Sequence, residues 1–202
     1  MAALKAFVGA AALLQAAVAS ADPVDRWAEE IAEASSRFAL PQEWIRQVMR
    51  AESGGRLHRD GRPLVSSAGA MGLMQLMPGT WRDMRALLSL GPDPWNAHDN
   101  IAAGAAYLRL MYDRFGYPGL FAAYDAGPAR YAAFLAGRRT LPFETRLYVT
   151  SVGRSRPEKL GSAGARRPTI FAVAADLMPT RRARPAPKRP SGLFVSLEDD
   201  RR

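Results

Sequence analysis

PQEWIRQVMRAESGG, residues 41–55, sets the organisation of the chain. Pro41 suits a helix start, and Trp44, Ile45, Val48 and Met49 recur at helical spacing before Gly54-Gly55 ends the pattern. Glu52 follows Trp44, Ile45 and Val48 by eight, seven and four residues, which puts a carboxylate on the face expected to be buried. Two readings stay open from spacing alone. Either Glu52 is a solvated acid on a frayed helix end, or low-dielectric surroundings and the negative end of the helix dipole raise its pKa. A carboxyl kept protonated near neutrality can give a proton to a leaving oxygen, which is what breaking a glycosidic bond requires.

Outward from this stretch, helical periodicity runs from Asp22 to about Gly153. Val24, Trp27, Ala28, Ile31 and Phe38 form a stripe opening at Asp22-Pro23. Residues 53–79 are rich in Gly and Ser and read as an ordered loop, with a helical turn near Met74. Thr80 can cap a helix carrying Trp81, Met84, Leu87 and Leu88, stopped by Gly91-Pro92. Asn96, Asp99 or Asn100 can begin the longest helix, which runs through Ile101, Tyr107, Leu108 and Met111 to Phe115 and ends at Gly116. LFAAYDAG and PARYAAFLAG give two shorter segments, and LPFETRLYVTSVG follows with Pro142 at a helix start. No stretch here sustains the two-residue alternation of a sheet, so the expected fold is a mainly α single domain over residues 22–153.

The flanks differ in kind. Residues 1–21 have one cation at Lys5, an apolar run from Ala6 to Val18 and a small-residue end at Ala19-Ser20-Ala21. That is the pattern of a signal peptide cleaved after Ala21, and it predicts an exported, periplasmic protein. No later segment reaches the ~18 apolar residues of a membrane-spanning helix. Residues 154–202 carry 12 Lys/Arg against 5 Asp/Glu, a balance of +7, so the other 16 cations and 14 acids leave only +2 of the total +9. Their Pro, Gly and Arg content predicts a basic, mostly disordered tail. Its apolar islands TIFAVAADLM and LFVSL are either docking segments or unstructured remnants. The prolines between the arginines and the export signal argue against nucleic acid as partner. Without cysteine, an exported chain is stabilised by core packing alone. His58 and His98 stand 40 residues apart with no metal-ligand pattern around them, so no metal site and no cofactor are expected.

Five segments resemble a known family. AESGG at 51–55, SSAGAMGLMQLMPGTW at 66–81, NIAAGAAYLRLMYDRFG at 100–116, AAYDAGPARY at 122–131 and FETRLYV at 143–149 are similar to the soluble lytic transglycosylase domain, related to goose-type lysozyme. The match spans about Phe38 to Val149 in the family's order and spacing. It implies a lysozyme-like α domain with a glycan-binding groove, acting on peptidoglycan glycan strands as a carbon–oxygen lyase. The bond cut is the β-1,4 link between N-acetylmuramic acid and N-acetylglucosamine, leaving a 1,6-anhydromuramoyl end without consuming water. By motif position Glu52 is the single catalytic acid and base. Most glycosidases need two carboxyl groups, so the family looks like a substrate-assisted exception in which the muramic N-acetyl oxygen supports the developing charge.

The resemblance also implies binding roles. Ser66 and Gln75 match groove positions that hydrogen-bond N-acetyl sugars, and Met77 matches a ring contact, with core packing as its alternative. Met74 reads as core. Gly69, Gly72 and Gly79 are expected to allow tight turns and close backbone approach. Tyr124 offers a sugar-facing ring and hydroxyl or a core ring. Glu144 and Tyr148, four residues apart, share a face that in the family lies near the catalytic acid. Asp125 departs from the family's Ala-Tyr-Asn-Ala-Gly pattern, because an ionised Asp accepts hydrogen bonds but cannot donate them. The change is either a tolerated binding substitution, a weaker grip on the N-acetyl group, or a second carboxylate that raises the pKa of Glu52.

The leading expectation is wall opening for a conjugation or type IV secretion apparatus, with the tail meeting subunits of that complex. A housekeeping wall-turnover enzyme, a hydrolytic muramidase in which Asp125 directs water, and a non-catalytic wall-binding scaffold are the alternatives.

Overall fold

The computed structural model describes residues 22–153. The expected signal peptide at 1–21 and the basic tail at 154–202 lie outside the described residues. A 3-10 turn, Pro23–Trp27, opens the fold, with the Asp22 carboxylate accepting from the Val24 N–H at 3.0 Å. Seven helices follow: α1 (Ala28–Phe38), α2 (Gln42–Glu52), α3 (Pro78–Leu88), α4 (Ala97–Phe115), α5 (Gly119–Ala126), α6 (Pro128–Leu135) and α7 (Phe143–Val152). No described helix is long and apolar enough to cross a membrane.

α4 is the central element because its sequence is apolar on most of its circumference. Ile101, Ala102, Ala103, Ala105, Ala106, Leu108 and Met111 are all buried, and the alanines let α1, α3 and α5 approach closely. Asn96 starts the helix, its side-chain oxygen accepting from the Asp99 N–H at 3.0 Å. Trp44 of α2 is fully buried and meets Tyr112, Tyr117 and Phe121 with ring centroids 5.4–5.7 Å apart, so the apolar stripe of the opening stretch becomes an aromatic cluster. α7 packs on both α2 and α5.

The segment between α2 and α3 holds more structure than its composition announced. Strands β1 (His58–Arg59) and β2 (Arg62–Pro63) pair antiparallel around Asp60-Gly61, both at positive φ. Two-residue strands are too short to show alternation, and the Asp-Gly pair was the available signal. Around Met74 the chain makes a hydrogen-bonded turn closed by Met71 and Leu76, which exchange backbone bonds at 3.0 and 3.1 Å. α3 starts three residues earlier than a cap at Thr80 would place it, with Met77 in the cap position. Pro78 supplies a ready helical φ in the first turn, so Thr80 lies inside the helix. Gly79 is also inside that first turn, where a Cβ would meet nothing nearer than the Arg82 guanidinium at 4.0 Å, so the close approach expected of it is not made there.

Gly104 fixes the spacing between α4 and the Met74 turn. A Cβ there would lie 2.5 Å from Met74 Cβ and 2.6 Å from Cγ, atoms too near the backbone to swing away. Gly104→Ala should therefore not yield the ~0.5–1 kcal/mol that Ala ordinarily gains over Gly in a helix. Overpacking on the scale of ~1–3 kcal/mol is expected to win. Calorimetric unfolding should show a midpoint lower than the parent's by a few degrees; a rise would contradict the close approach.

Candidate active site

Glu52 is the last residue of α2, whose buried face is made by Trp44, Ile45, Val48 and Met49. Beyond it Gly54 and Gly55 take positive φ and turn the chain away, and the Gly55 carbonyl accepts from Trp27 Nε1 at 2.9 Å. The acid is thus left at the end of an anchored helix. Burial pushes its pKa up to about 7, the nearby Tyr148 hydroxyl opposes the shift, and the negative charge of Asp125 adds to it. Its carboxyl can therefore hold a proton much closer to neutrality than an ordinary glutamate does.

Three helices supply this cluster. Tyr148 comes from α7, and its hydroxyl is buried beside Glu52 without a hydrogen bond of ordinary geometry. Burial and the Glu52 charge hold its phenol well above the usual value, so it stays a neutral donor. Tyr124 and Asp125 come from the end of α5. Tyr124 is buried and donates to the Met74 carbonyl at 2.7 Å, which ties its hydroxyl to the loop. Asp125 is exposed. Glu144 is exposed one turn before Tyr148 and is not among the groups that shift Glu52.

Ser66, Gln75 and Met77 lie on the loop between β2 and α3. Ser66 caps a tight turn, its hydroxyl oxygen accepting from the Ala70 N–H at 3.0 Å, which leaves the hydroxyl proton able to donate. Gln75 has φ 45°, in the left-handed region that non-glycine residues rarely occupy, and its amide nitrogen donates to the Gly72 carbonyl at 2.8 Å. Such strain persists only where the surroundings over-determine it. Met77 is 46% exposed just before α3, whereas Met74 is fully buried.

Asn100 is what holds this loop, and it was not singled out for the site by sequence reasoning. Its side chain is fully buried. The Oδ1 atom accepts from the Met74 N–H at 2.8 Å, while Nδ2 donates to the carbonyls of Met71 at 3.2 Å and Pro94 at 2.8 Å. A Cβ on Gly72, at φ 74°, would stand 2.4 Å from that same Nδ2. The sequence offered Asn96, Asp99 and Asn100 as alternative caps of this helix; the structure gives that role to Asn96, which leaves the Asn100 side chain for the loop.

Fold and site together define a lysozyme-like α domain organised around one protonatable acid. The chain belongs to the transglycosylase SLT domain family, whose model matches residues 29–145, more than half of it. The soluble lytic murein transglycosylase of Escherichia coli (strain K12) is 37% identical over 132 residues, covering 56% of this chain and 20% of the relative. Among solved structures, the 70 kDa soluble lytic transglycosylase of Escherichia coli aligns with TM-score 0.54 and 32% identity, over 62% of this chain and 22% of that one. An inactive Glu-to-Gln mutant of the lytic transglycosylase Slt from Pseudomonas aeruginosa aligns with TM-score 0.52 and 30% identity, over 61% of this chain and 22% of that one. The chain therefore spans about a fifth of the length of these relatives.

Proposed function

We propose that this chain is an exported peptidoglycan lytic transglycosylase with Glu52 as its sole acid and base. The observation that carries the reading is a carboxyl with a pKa of about 7, held at a helix end beside a neutral tyrosine. The neighbour that a Glu-to-Gln change renders inactive supports the same chemistry. Protonated Glu52 gives its proton to the glycosidic oxygen as the C1–O bond breaks, and the substrate's N-acetyl oxygen supports the positive charge at C1. The carboxylate then takes the proton of the sugar's 6-hydroxyl as O6 bonds to C1. No water enters, and Glu52 ends protonated as it began.

In this reading Ser66 and Gln75 hold the N-acetyl sugars in a groove, Met77 lies against a ring, and Glu144 lines the approach. Tyr148 orients the Glu52 carboxyl. Tyr124 acts as a brace through Met74. The leader-like residues 1–21 and the basic residues 154–202 support a periplasmic role in local wall opening, with the tail recruiting secretion or conjugation subunits. Removing 154–202 is expected to leave glycan cleavage intact and to alter localisation.

Digestion of purified peptidoglycan with mass analysis of the ends tests the chemistry. Glu52-dependent anhydro ends support the proposal, and no such products leave a binding scaffold. One observation favours a second reading: the Asp125 charge is felt by Glu52, and a second carboxylate can direct water. Reducing ends would identify that muramidase.

The pH dependence separates the two neighbours of Glu52. The acid step needs the protonated carboxyl, so activity should fall as pH rises through about 7. Asp125→Asn removes a charge that raises the pKa, so the falling limb should move to lower pH. Tyr148→Phe removes a hydroxyl that lowers it, so the limb should move to higher pH. Rate–pH profiles of the two variants check the opposite signs.

A further inference from the structure

α6 is an apolar helix that the fold does not bury. Arg130 is its one charged residue, yet none of its eight residues is buried, whereas the equally short α5 buries six of its eight. Among the described residues, Val65 and Met77 are exposed large apolar side chains of the segment before α3. The others, Phe134, Leu135, Phe143 and Leu147, all fall within residues 134–147, from the last turn of α6 to the middle of α7. Leu135 and Phe143 are each 60% exposed, and every residue from Phe134 to Thr140 is exposed. Exposed apolar groups gathered in this way mark a surface that meets something else.

On α7 that surface is an outer face. Phe143 and Leu147 are four residues apart and share one side of the helix, while Thr145 and Val152 are buried on the other and the Tyr148 hydroxyl turns in to Glu52. The charge around the exposed groups has one sign. Residues 128–153 hold Arg130, Arg138, Arg139 and Arg146 against Glu144 alone, a balance of +3. Among the described residues the ion pairs fall on Arg46, Arg50, Arg82, His98 and Arg109, so none neutralises these four. The Arg146 guanidinium stands 5.6 Å from the centre of the Phe143 ring, which sets a cation beside an exposed aromatic. Arg138 and Arg139 directly follow α6, in a turn fixed by the Gly137 and Arg138 N–H groups, which donate to the carbonyls of Phe134 and Ala133 at 2.9 Å each.

That charge selects the occupant. A two-fold interface brings a surface against itself, so a second copy docking through this face would set +3 against +3. Residues 154–202, with 12 Lys/Arg against 5 Asp/Glu, carry the same sign. An anionic bilayer surface offers both complements, phosphate head groups for the guanidinium groups and acyl chains for the rings and aliphatic side chains. We propose that the outer face of residues 134–147 docks on the surface of an anionic phospholipid bilayer, lying in the interface without spanning it. A few partly exposed apolar side chains are a small anchor by themselves, so binding needs the charge as well and selects anionic over neutral lipid. The surface uses none of the residues gathered around Glu52, and the docking does not depend on the glycan chemistry proposed above.

Vesicle binding by the full chain is the test, with a local reporter because the basic residues 154–202 can also attract anionic lipid. On vesicles of phosphatidylglycerol and phosphatidylcholine, the emission of a Phe143→Trp variant should shift to the blue and be quenched by lipids brominated on their acyl chains. The parent's four tryptophans should show neither effect, and vesicles of phosphatidylcholine alone should give neither with the variant. Co-sedimentation with the anionic vesicles should weaken about tenfold or more in Phe143→Ser/Leu147→Ser, which loses apolar area to bury, and about tenfold in Arg138→Gln/Arg139→Gln, most clearly at low salt. All four side chains are exposed, so the melting temperature of both variants should stay at the parent's. Quenching no greater than the parent's, equal binding to neutral vesicles, or unchanged sedimentation of both double variants overturns the proposal. Lipid-independent self-association that Phe143→Ser/Leu147→Ser abolishes also overturns it, by giving the face to a second copy.

Discussion

Glu52→Gln is expected to lower the rate of glycan cleavage by about 10²–10⁴-fold, the usual contribution of a positioned general acid and base, while making the fold more stable. The activity loss follows because the amide can neither donate the first proton nor accept the second. The stability gain has a definite pH window. Native Glu52 has its pKa raised from the ordinary 4.5 to about 7, so between these values the unfolded chain has released a proton that the native state keeps. Wild-type stability therefore falls as pH rises through this interval, and above it the penalty reaches up to about 3 kcal/mol. The amide lacks this penalty. Denaturant unfolding of both proteins at pH 4 and pH 8 should show curves that nearly coincide at the lower pH and a more stable variant at the higher. A variant that loses activity and stability together would show that Glu52 is structural.

Asn100→Asp is the second large effect, and its mechanism is the reverse. The substitution keeps size and shape and preserves the acceptor for the Met74 N–H, but it removes the amide donor shared by the Met71 and Pro94 carbonyls. A carboxylate in that fully buried position faces two carbonyl oxygens. It is expected to take up a proton, leaving at most one O–H for two acceptors. A loss of about 2–4 kcal/mol at pH 7 is expected from the unsatisfied groups and the raised carboxyl pKa. Because the folded pKa lies above the unfolded one, the deficit should grow as pH rises from 4 to 8. Denaturant midpoints at those two pH values check it. A pH-independent deficit would show that Asn100 matters for packing alone. Cleavage should fall as well, since the turn bearing Gln75 hangs on these bonds.

Much of the fold was legible along the chain. The stripe of Trp44, Ile45, Val48 and Met49, the stop at Gly54-Gly55, a helix start among Asn96, Asp99 and Asn100 and the start at Pro142 all depend on residues within a turn or two of each other, where periodicity and capping chemistry act. The shortfalls arise where local rules conflict or the element is very short. Pro78 outweighed Thr80 as the helix-starting residue, and the two-residue strands were below the length at which alternation can be seen. The resemblance of five motifs carried the family, and with it Glu52.

By itself the sequence determined that an acid ends α2, that α2 is one of seven helical segments, and that Tyr124, Asp125 and Tyr148 belong to two others. It could not determine what each side chain faces. Tyr124 turns to the Met74 carbonyl 50 residues away, Asn100 reaches back to residues 71–74, and Tyr148 is buried beside Glu52. Those partnerships depend on how α4, α5 and α7 pack, and packing joins positions with no fixed spacing along the chain. The pKa of Glu52 has the same origin: its largest cause is burial, and burial is a property of the assembled helices.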